Sequence, residues 1–332
     1  MDKIGLDLGY GHTKVVAENG NRICFPSLAV KGKKLKMDDM LGAADDYIAT
    51  INDNTWYVGK MAVKENRFAI RAFDDNERFN NEAFQAMLAT ALSVTSQNNE
   101  DLCVVTGLPL AAYRDSTDKF RSFLEDFTAQ TEIDNVTKNI AIKSAYIFPQ
   151  AAGIFVNPYC SDIKNNLSPG SLVSVIDIGY RTTDIAVFEY IDGKYQLLLG
   201  NSFTIDTGMS SIFHALGDIM AQKAGTFEVT PEEAEKAFNS GHGYTKDGPV
   251  EYSKEIAELK KITVNRLVDA YNTKGPNTAQ QNVILLAGGG SIPLQKELIG
   301  AFPNAKTIPD AQFANAVGFL EVAKTLATPI LN

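Results

Sequence analysis

The feature that most narrows what this chain can fold into is a segment that occurs twice. Asp7-Leu-Gly-Tyr-Gly-His-Thr-Lys14 and Asp177-Ile-Gly-Tyr-Arg-Thr-Thr-Asp184 share Asp, Gly, Tyr and Thr at their first, third, fourth and seventh positions. Each ends an apolar run, Ile4 to Leu8 in one case and Leu172 to Ile178 in the other. Beyond the break a second run follows, Thr13 to Ala17 or Thr182 to Phe188, and then a turn at Asn19-Gly20 or Asp192-Gly193 leads into a third. A three-stranded antiparallel meander is therefore expected twice, as an internal duplication. A length of 332 residues agrees, because single cores seldom grow beyond ~250–300 residues.

The remaining periodicity places the other elements. Pro26 to about Asn76 is irregular and polar around a short strand at Trp56-Tyr57-Val58, which suggests an inserted subdomain. Helical spacing runs from Asn80 to Val94 and from Arg114 to Thr128, and short apolar runs at Leu102–Gly107 and Ile140–Phe148 read as strands. Pro149-Gln150 is expected to open a small-residue helix. In the second half, helices are expected over Ser210–Ala224, near Pro231–Ala237 and over Tyr252–Tyr271. A buried strand, Val283–Ala287, runs into Gly288-Gly289-Gly290-Ser291, and a strand near Lys306–Ile308 precedes a helix from about Ala311 to Leu326. The expected architecture is α/β: a first lobe over 1–158 with an insertion over about 26–76, a second lobe over 159–310 with a helical subdomain over about 210–275, and a segment 311–332 returning toward the first lobe.

Charge and composition exclude several classes. A net charge of −9 and a pI near 5.0 oppose direct binding to a phosphate backbone. The basic stretch Lys31, Lys33, Lys34 and Lys36 is short enough to be a solvated loop or edge. Cys24, Cys103 and Cys160 are odd in number and lack a CxxC, which fits a reducing cytoplasm. His12, His214 and His242 lack zinc-site spacing. With no apolar run near the ~20 residues of a membrane span and no leader at the N-terminus, a cytoplasmic protein off the membrane is expected.

Two Asp-headed turns rich in glycine suit a polyphosphate. Glycine lets backbone N–H groups approach phosphate oxygens, and a carboxylate at each turn can hold the water shell of Mg²⁺. Asp7 and Asp177 fill that role, with Lys14 a point charge for the phosphates. There is no Walker loop, since GxxxxGK[ST] does not occur. Gly288-Gly289-Gly290 after a buried strand would let a ribose or flat ring lie against backbone, and Ser291 is expected to cap the helix behind it.

These motifs, in this order, resemble those of the actin superfamily. Ile4 to Cys24 is similar to the first phosphate motif, Val175 to Asp184 to the second, and Leu285 to Ser291 to the adenosine motif, while Pro149-Gln150-Ala-Ala-Gly153 and Phe313-Ala-Asn-Ala-Val-Gly-Phe319 resemble the two connecting helices. The resemblance spans nearly the whole chain and is nearest to prokaryotic actin-like proteins of the ParM and Alp plasmid-segregating type and their archaeal relatives. It implies duplicated, ribonuclease H-like ATPase lobes with a nucleotide cleft between them, binding ATP, or GTP in its place, with Mg²⁺. Asp7 and Asp177 would act on the metal through water, and Gln150 would orient the attacking water. Gly9, Tyr10, Gly11, His12, Thr13, Lys14, Gly179, Tyr180, Arg181 and Thr182 would line the phosphates, with Gly208, Gly288, Gly289, Gly290 and Ser291 toward the nucleoside. Arg181 stands where actins have a small residue, and either a phosphate contact or a loop brace suits it. The small residues Ala151, Ala152, Gly153, Ala314, Ala316 and Gly318 are expected to form a hinge.

The implied function is an ATPase that polymerises with ATP and moves or positions plasmid DNA through a DNA-binding adaptor. A small-molecule kinase on the same duplicated fold is the alternative, with an added carboxylate taking a proton from an acceptor hydroxyl. A DnaK-type chaperone would need a peptide-binding domain beyond Asn332.

Overall fold

The computed structural model describes residues 1–33, 46–65, 78–97, 101–225, 228–246, 248–277 and 281–326. Lys34, Lys36 and residues 34–45 and 66–76 of the expected insertion lie outside these. The chain divides into two compact units, Met1–Lys164 with Phe313–Asn332, and Asn165–Gln312.

Among the described residues the first unit is built on nine strands: β1 (Asp2–Leu8), β2 (His12–Ala17), β3 (Arg22–Pro26), β4 (Ala29–Lys31), β5 (Asp46–Ile51), β6 (Asn54–Gly59), β7 (Asp101–Leu108), β8 (Thr128–Ile133) and β9 (Val136–Pro149). Their order in one sheet is β3-β2-β1-β7-β9-β8-β5-β6-β4. Helices α1 (Lys60–Glu65), α2 (Glu82–Thr95), α3 (Leu110–Glu125), α4 (Ala152–Val156) and α5 (Cys160–Asn165) belong here, with the C-terminal α10 (Ala314–Leu326). Strand β1 is buried without a break from Ile4 to Leu8 because it pairs on both sides, antiparallel to β2 and parallel to β7. β2, nearer the sheet edge, alternates in burial. Helices α2 and α3, with the 3-10 turn Arg78–Asn80 ahead of α2, close one face through Phe79, Phe84, Phe120 and Phe123, whose rings lie 4.6–6.5 Å apart in stacked, tilted and edge-on pairs.

Two expectations in this unit need correction. The helix expected to reach Thr128 stops at Glu125, and Thr128 opens β8. Asp126 donates its N–H back to Ser122 and Leu124, which ends the helix, and Phe127 turns into the core. β8 escapes hydrophobic pattern reading because two of its three buried positions hold Ala129 and Thr131. Asp134 and Asn135 join it to β9, both in the left-handed region that a tight hairpin demands. The second correction concerns Pro149, which is the last residue of β9 rather than the first of a helix. Gln150 N–H still donates to Leu108 O at 2.7 Å, so the sheet ladder holds the chain until α4 begins at Ala152.

The second unit repeats the meander as β10 (Leu172–Ile178), β11 (Thr183–Ile191) and β12 (Lys194–Leu197), then adds β13 (Phe203–Ile205), α6 (Met209–Ala224), α7 (Pro231–Ser240), β14 (His242–Thr245), β15 (Gly248–Glu251), α8 (Ser253–Lys274), β16 (Gln281–Ala287), α9 (Gln295–Ala301) and β17 (Ala305–Thr307). The main sheet runs β12-β11-β10-β16-β17, with β13 against β11. A capping box starts α7: Thr230 accepts from Glu233 N–H, Glu233 reaches back to Thr230 N–H, and Pro231 takes the first helical position. Phe213, Leu216, Phe238, Ile256, Leu267 and Tyr271 join α6, α7 and α8 in the unit's core. The hairpin β14–β15 was not expected, since His-Gly-Tyr-Thr and Gly-Pro-Val-Glu carry no alternating apolar pattern.

The duplication holds at the level of register. Asp7 pairs with Lys14 and Leu8 with Thr13 across β1–β2, while Asp177 pairs with Asp184 and Ile178 with Thr183 across β10–β11.

Candidate functional site

In the first unit the expected residues gather at the carboxyl ends of three adjacent parallel strands. Leu6 is level with Thr106 and Thr106 with Ile147, so the ends of β1, β7 and β9 lie side by side. Open α/β sheets place ligands at this end, in the crevice outside the carboxyl ends of the strands. Asp7 is 5% exposed and receives Lys14 Nζ at 3.0 Å, the ion pair standing directly under the turn. A Cβ at Gly9 would lie 2.9 Å from His12 O and 3.1 Å from Lys14 Nζ, so a side chain there would crowd the turn's own backbone.

Ser27, which sequence reading missed, braces this turn. Its hydroxyl donates to Gly9 O at 2.6 Å, its N–H donates to Gly11 O at 2.9 Å, and its oxygen lies 2.9 Å from Thr13 Oγ1. Thr13 is therefore fully buried, its hydroxyl turned to Ser27 rather than outward. Tyr10 packs on the core of the first unit. Gln150 follows β9 directly and is 9% exposed, with its Cγ 3.1 Å from where a Cβ at Gly107 would stand. The absence of a side chain at Gly107 is what lets Gln150 lie over the end of β7, a role that the Gly-Leu-Pro sequence did not disclose.

In the second unit three loops meet at the ends of β10 and β16. Asp177 lies level with Ala287, the last residue of β16. Gly288 takes φ +79, and a Cβ there would lie 2.3 Å from Asp177 Oδ1 and 2.4 Å from Ile178 O, so glycine is required on both counts. Gly208 is packed as closely, 2.6 Å from Tyr180 O by the same measure, and Met209 and Ser210 N–H donate to the Gly179 and Tyr180 carbonyls. The start of α6 is thereby fixed to the Gly179-Tyr180 turn, while Gly179 N–H donates to Thr182 O to close it. Asp184 is buried and accepts from Thr204 Oγ1 at 2.6 Å, a partner outside any motif.

One role changes. Ser291 does not cap α9, which starts four residues later behind Leu294 with no side-chain cap. It is fully buried and donates its hydroxyl to Gly288 O at 2.8 Å, stabilising the glycine turn from within. Arg181, for which the sequence leaves two roles open, has its Nε 3.6 Å from Asp206 Oδ1 with both side chains well exposed. Gly289 and Gly290 form a short 3-10 turn with Ser291, Gly290 closing on Ile178 and Met209.

The donor set fits a polyphosphate and a hydrated divalent cation. No cluster of three or more metal-ligating side chains occurs among the described residues, and Mg²⁺ held by one or two carboxylates with phosphate and water needs none. Asp7 in the first unit and Asp177 in the second are each a carboxylate of that kind.

Comparison with known proteins accounts for both units. Residues 5–153 match the N-terminal domain of the actin-like proteins, and residues 175–300 match the C-terminal domain of the archaeal MreB-like actin homologue. An archaeal actin homolog of Thermoplasma acidophilum is 27% identical over 336 residues, covering 98% of this chain and 99% of its own. Among solved structures, a 15-stranded ParM filament from Clostridium botulinum aligns with a TM-score of 0.89 at 26% identity, over 98% of this chain and 99% of that one. An archaeal actin homolog in complex with ADP shares the fold with a TM-score of 0.77 at 22% identity, over 98% and 100% of the two chains. The duplicated Asp-headed hairpins, the glycine turn behind β16 and these matches in chain order give the chain actin-like domains and the two-lobed α/β fold of ParM and archaeal actin structures.

Proposed function

We propose that this chain is an ATPase that polymerises with ATP and Mg²⁺ and loosens its filament on hydrolysis. The observation that carries this is full-length agreement with a ParM filament subunit, joined to two equivalent hairpins that present Asp7 and Asp177 at the same register. Backbone N–H groups around Gly9, Gly11 and Gly179 cradle the phosphates, and Lys14 shares its charge between Asp7 and a phosphate oxygen. Bound Mg²⁺, hydrated and steadied by Asp7 and Asp177, would neutralise charge on the phosphates. Gln150 orients a water toward the γ-phosphorus; glutamine is no base, so its contribution is alignment. The water oxygen bonds to phosphorus, the bond to the β–γ bridging oxygen breaks, and the water's proton leaves with inorganic phosphate.

Plasmid or other cargo would be reached through a basic adaptor, since a net charge of −9 disfavours direct DNA contact. That the described residues contain no helix long and apolar enough to cross a membrane is consistent with work in the cytoplasm. Sedimentation at micromolar protein decides between this reading and a small-molecule kinase. ATP with Mg²⁺ should drive most of the protein into the pellet. A protein that stays in the supernatant under every nucleotide, while a sugar or other hydroxyl compound accelerates ATP turnover, would be the kinase instead.

A further inference from the structure

Seven non-glycine residues among those described have positive φ, and six of them are Asn or Asp: Asn52, Asp53, Asp134, Asn135, Asp192 and Asp310. Those side chains tolerate the left-handed region by bonding to nearby backbone. The seventh is Ala151, at φ +67 and ψ −30, immediately after Gln150. Alanine has no polar atom to offset the crowding of its Cβ, and no tight hairpin requires the conformation here. Strain of this kind persists only where the surroundings over-determine it, and it gathers at functional positions.

The surroundings do over-determine it. Ala151 is fully buried. On one side the Gln150 N–H is held by Leu108 O at 2.7 Å. On the other, α4 is locked by Phe319, a fully buried ring so placed that a Cβ at Gly153 would lie 2.4 Å from it and a Cβ at Gly107 2.6 Å. The backbone between Gln150 and Gly153 is thus held at both ends, with the alanine between them at φ +67.

We propose that Ala151 is a positioning residue: its strained backbone fixes the direction in which the Gln150 amide leaves β9, and its methyl group denies the chain the alternative conformers that glycine would admit. This rests on the reading of Gln150 as the residue that orients the attacking water.

Ala151→Gly tests it, because glycine accepts the observed φ without strain yet widens the choice of others. A residue with only a structural duty would gain stability on such relief and leave turnover alone. A positioning residue gives a split result. In the full chain with ATP and Mg²⁺, Ala151→Gly should lower kcat about tenfold, leave KM within about twofold, and melt at or above the native temperature. Because the effect passes through Gln150, adding Ala151→Gly to Gln150→Ala should slow turnover no further than Gln150→Ala does alone. Native kcat in Ala151→Gly, beside a slow Gln150→Ala, would overturn the positioning role and leave the catalytic reading intact. A further loss in the double variant would overturn it too, by showing a route independent of Gln150. Native turnover in Gln150→Ala would remove the catalytic reading itself, and the proposal with it.

Discussion

Gly318 and Gly217 both sit inside helices, and replacing each with alanine should have opposite effects on stability. In an open helix interior this change stabilises by up to ~1 kcal/mol, since alanine loses less conformational freedom on folding. Gly217 in α6 has room: its new Cβ would meet nothing closer than Val229 O at 3.4 Å. Gly318 in α10 has none, because a Cβ there would lie 1.7 Å from the Gly153 carbonyl oxygen and 2.6 Å from its carbon. Backbone atoms cannot rotate away, so α10 would have to retreat from α4 by more than an ångström, carrying Phe319 off Gly107 and Gly153. Overpacking of this kind costs about 3 kcal/mol at the upper end of its range. Less the helix propensity gain, Gly318→Ala should destabilise by about 2 kcal/mol, lowering the midpoint by ~4–8 °C for a unit of this size. The single tryptophan, Trp56, is buried in the first unit and reports its melting by fluorescence. The Trp56 transition should fall in Gly318→Ala, while the far-UV circular dichroism midpoint should not fall in Gly217→Ala. A Gly318→Ala protein melting at or above the native temperature would refute the close helix crossing on which the placement of Gln150 depends.

Asp177→Ala and Asp7→Ala should each abolish Mg²⁺-dependent ATP turnover, measured by phosphate release; unchanged rates in both would remove the site assignment. Asp7→Ala should also lower thermal stability, because it strands Lys14, whose side chain is only 13% exposed, without its carboxylate. Thiol chemistry gives a separate check: burial pushes the Cys160 thiol up to about 11 and its Sγ donates to Ile154 O, so it should resist alkylation in the native protein at pH 8. Partly exposed Cys24 should label first, and all three cysteines should label in denaturant; early labelling at Cys160 by mass spectrometry would contradict its packing.

The repeated octapeptide made the duplicated meander legible, since a shared Asp-x-Gly-Tyr after an apolar run specifies a strand and a turn together. The parallel strands β7 and β16 were legible for a related reason: Val104-Val105 and Ile284-Leu285-Leu286 are buried on both faces and carry unbroken apolar runs. Elements whose buried face is small or polar were not. β8 hides Ala129 and Thr131, and β14 hides only Gly243. The site divides in the same way. Motif residues announced the turns, while the groups that brace them, Ser27 under Gly9 and Thr204 on Asp184, act through tertiary contacts that no local pattern records. Nor does any pattern reveal that Ala151 has positive φ, because its cause lies in α10, more than 150 residues away.

The central claim is that nucleotide chemistry governs self-assembly. Light scattering and phosphate release, followed together in one sample after ATP and Mg²⁺ are added to micromolar protein, test it most directly. Scattering should rise first, phosphate should follow, and scattering should then decay as ATP is exhausted, with Gln150→Ala holding the plateau longer because its filaments keep unhydrolysed nucleotide. Phosphate release at full rate with no rise in scattering, or scattering indifferent to nucleotide, would contradict it.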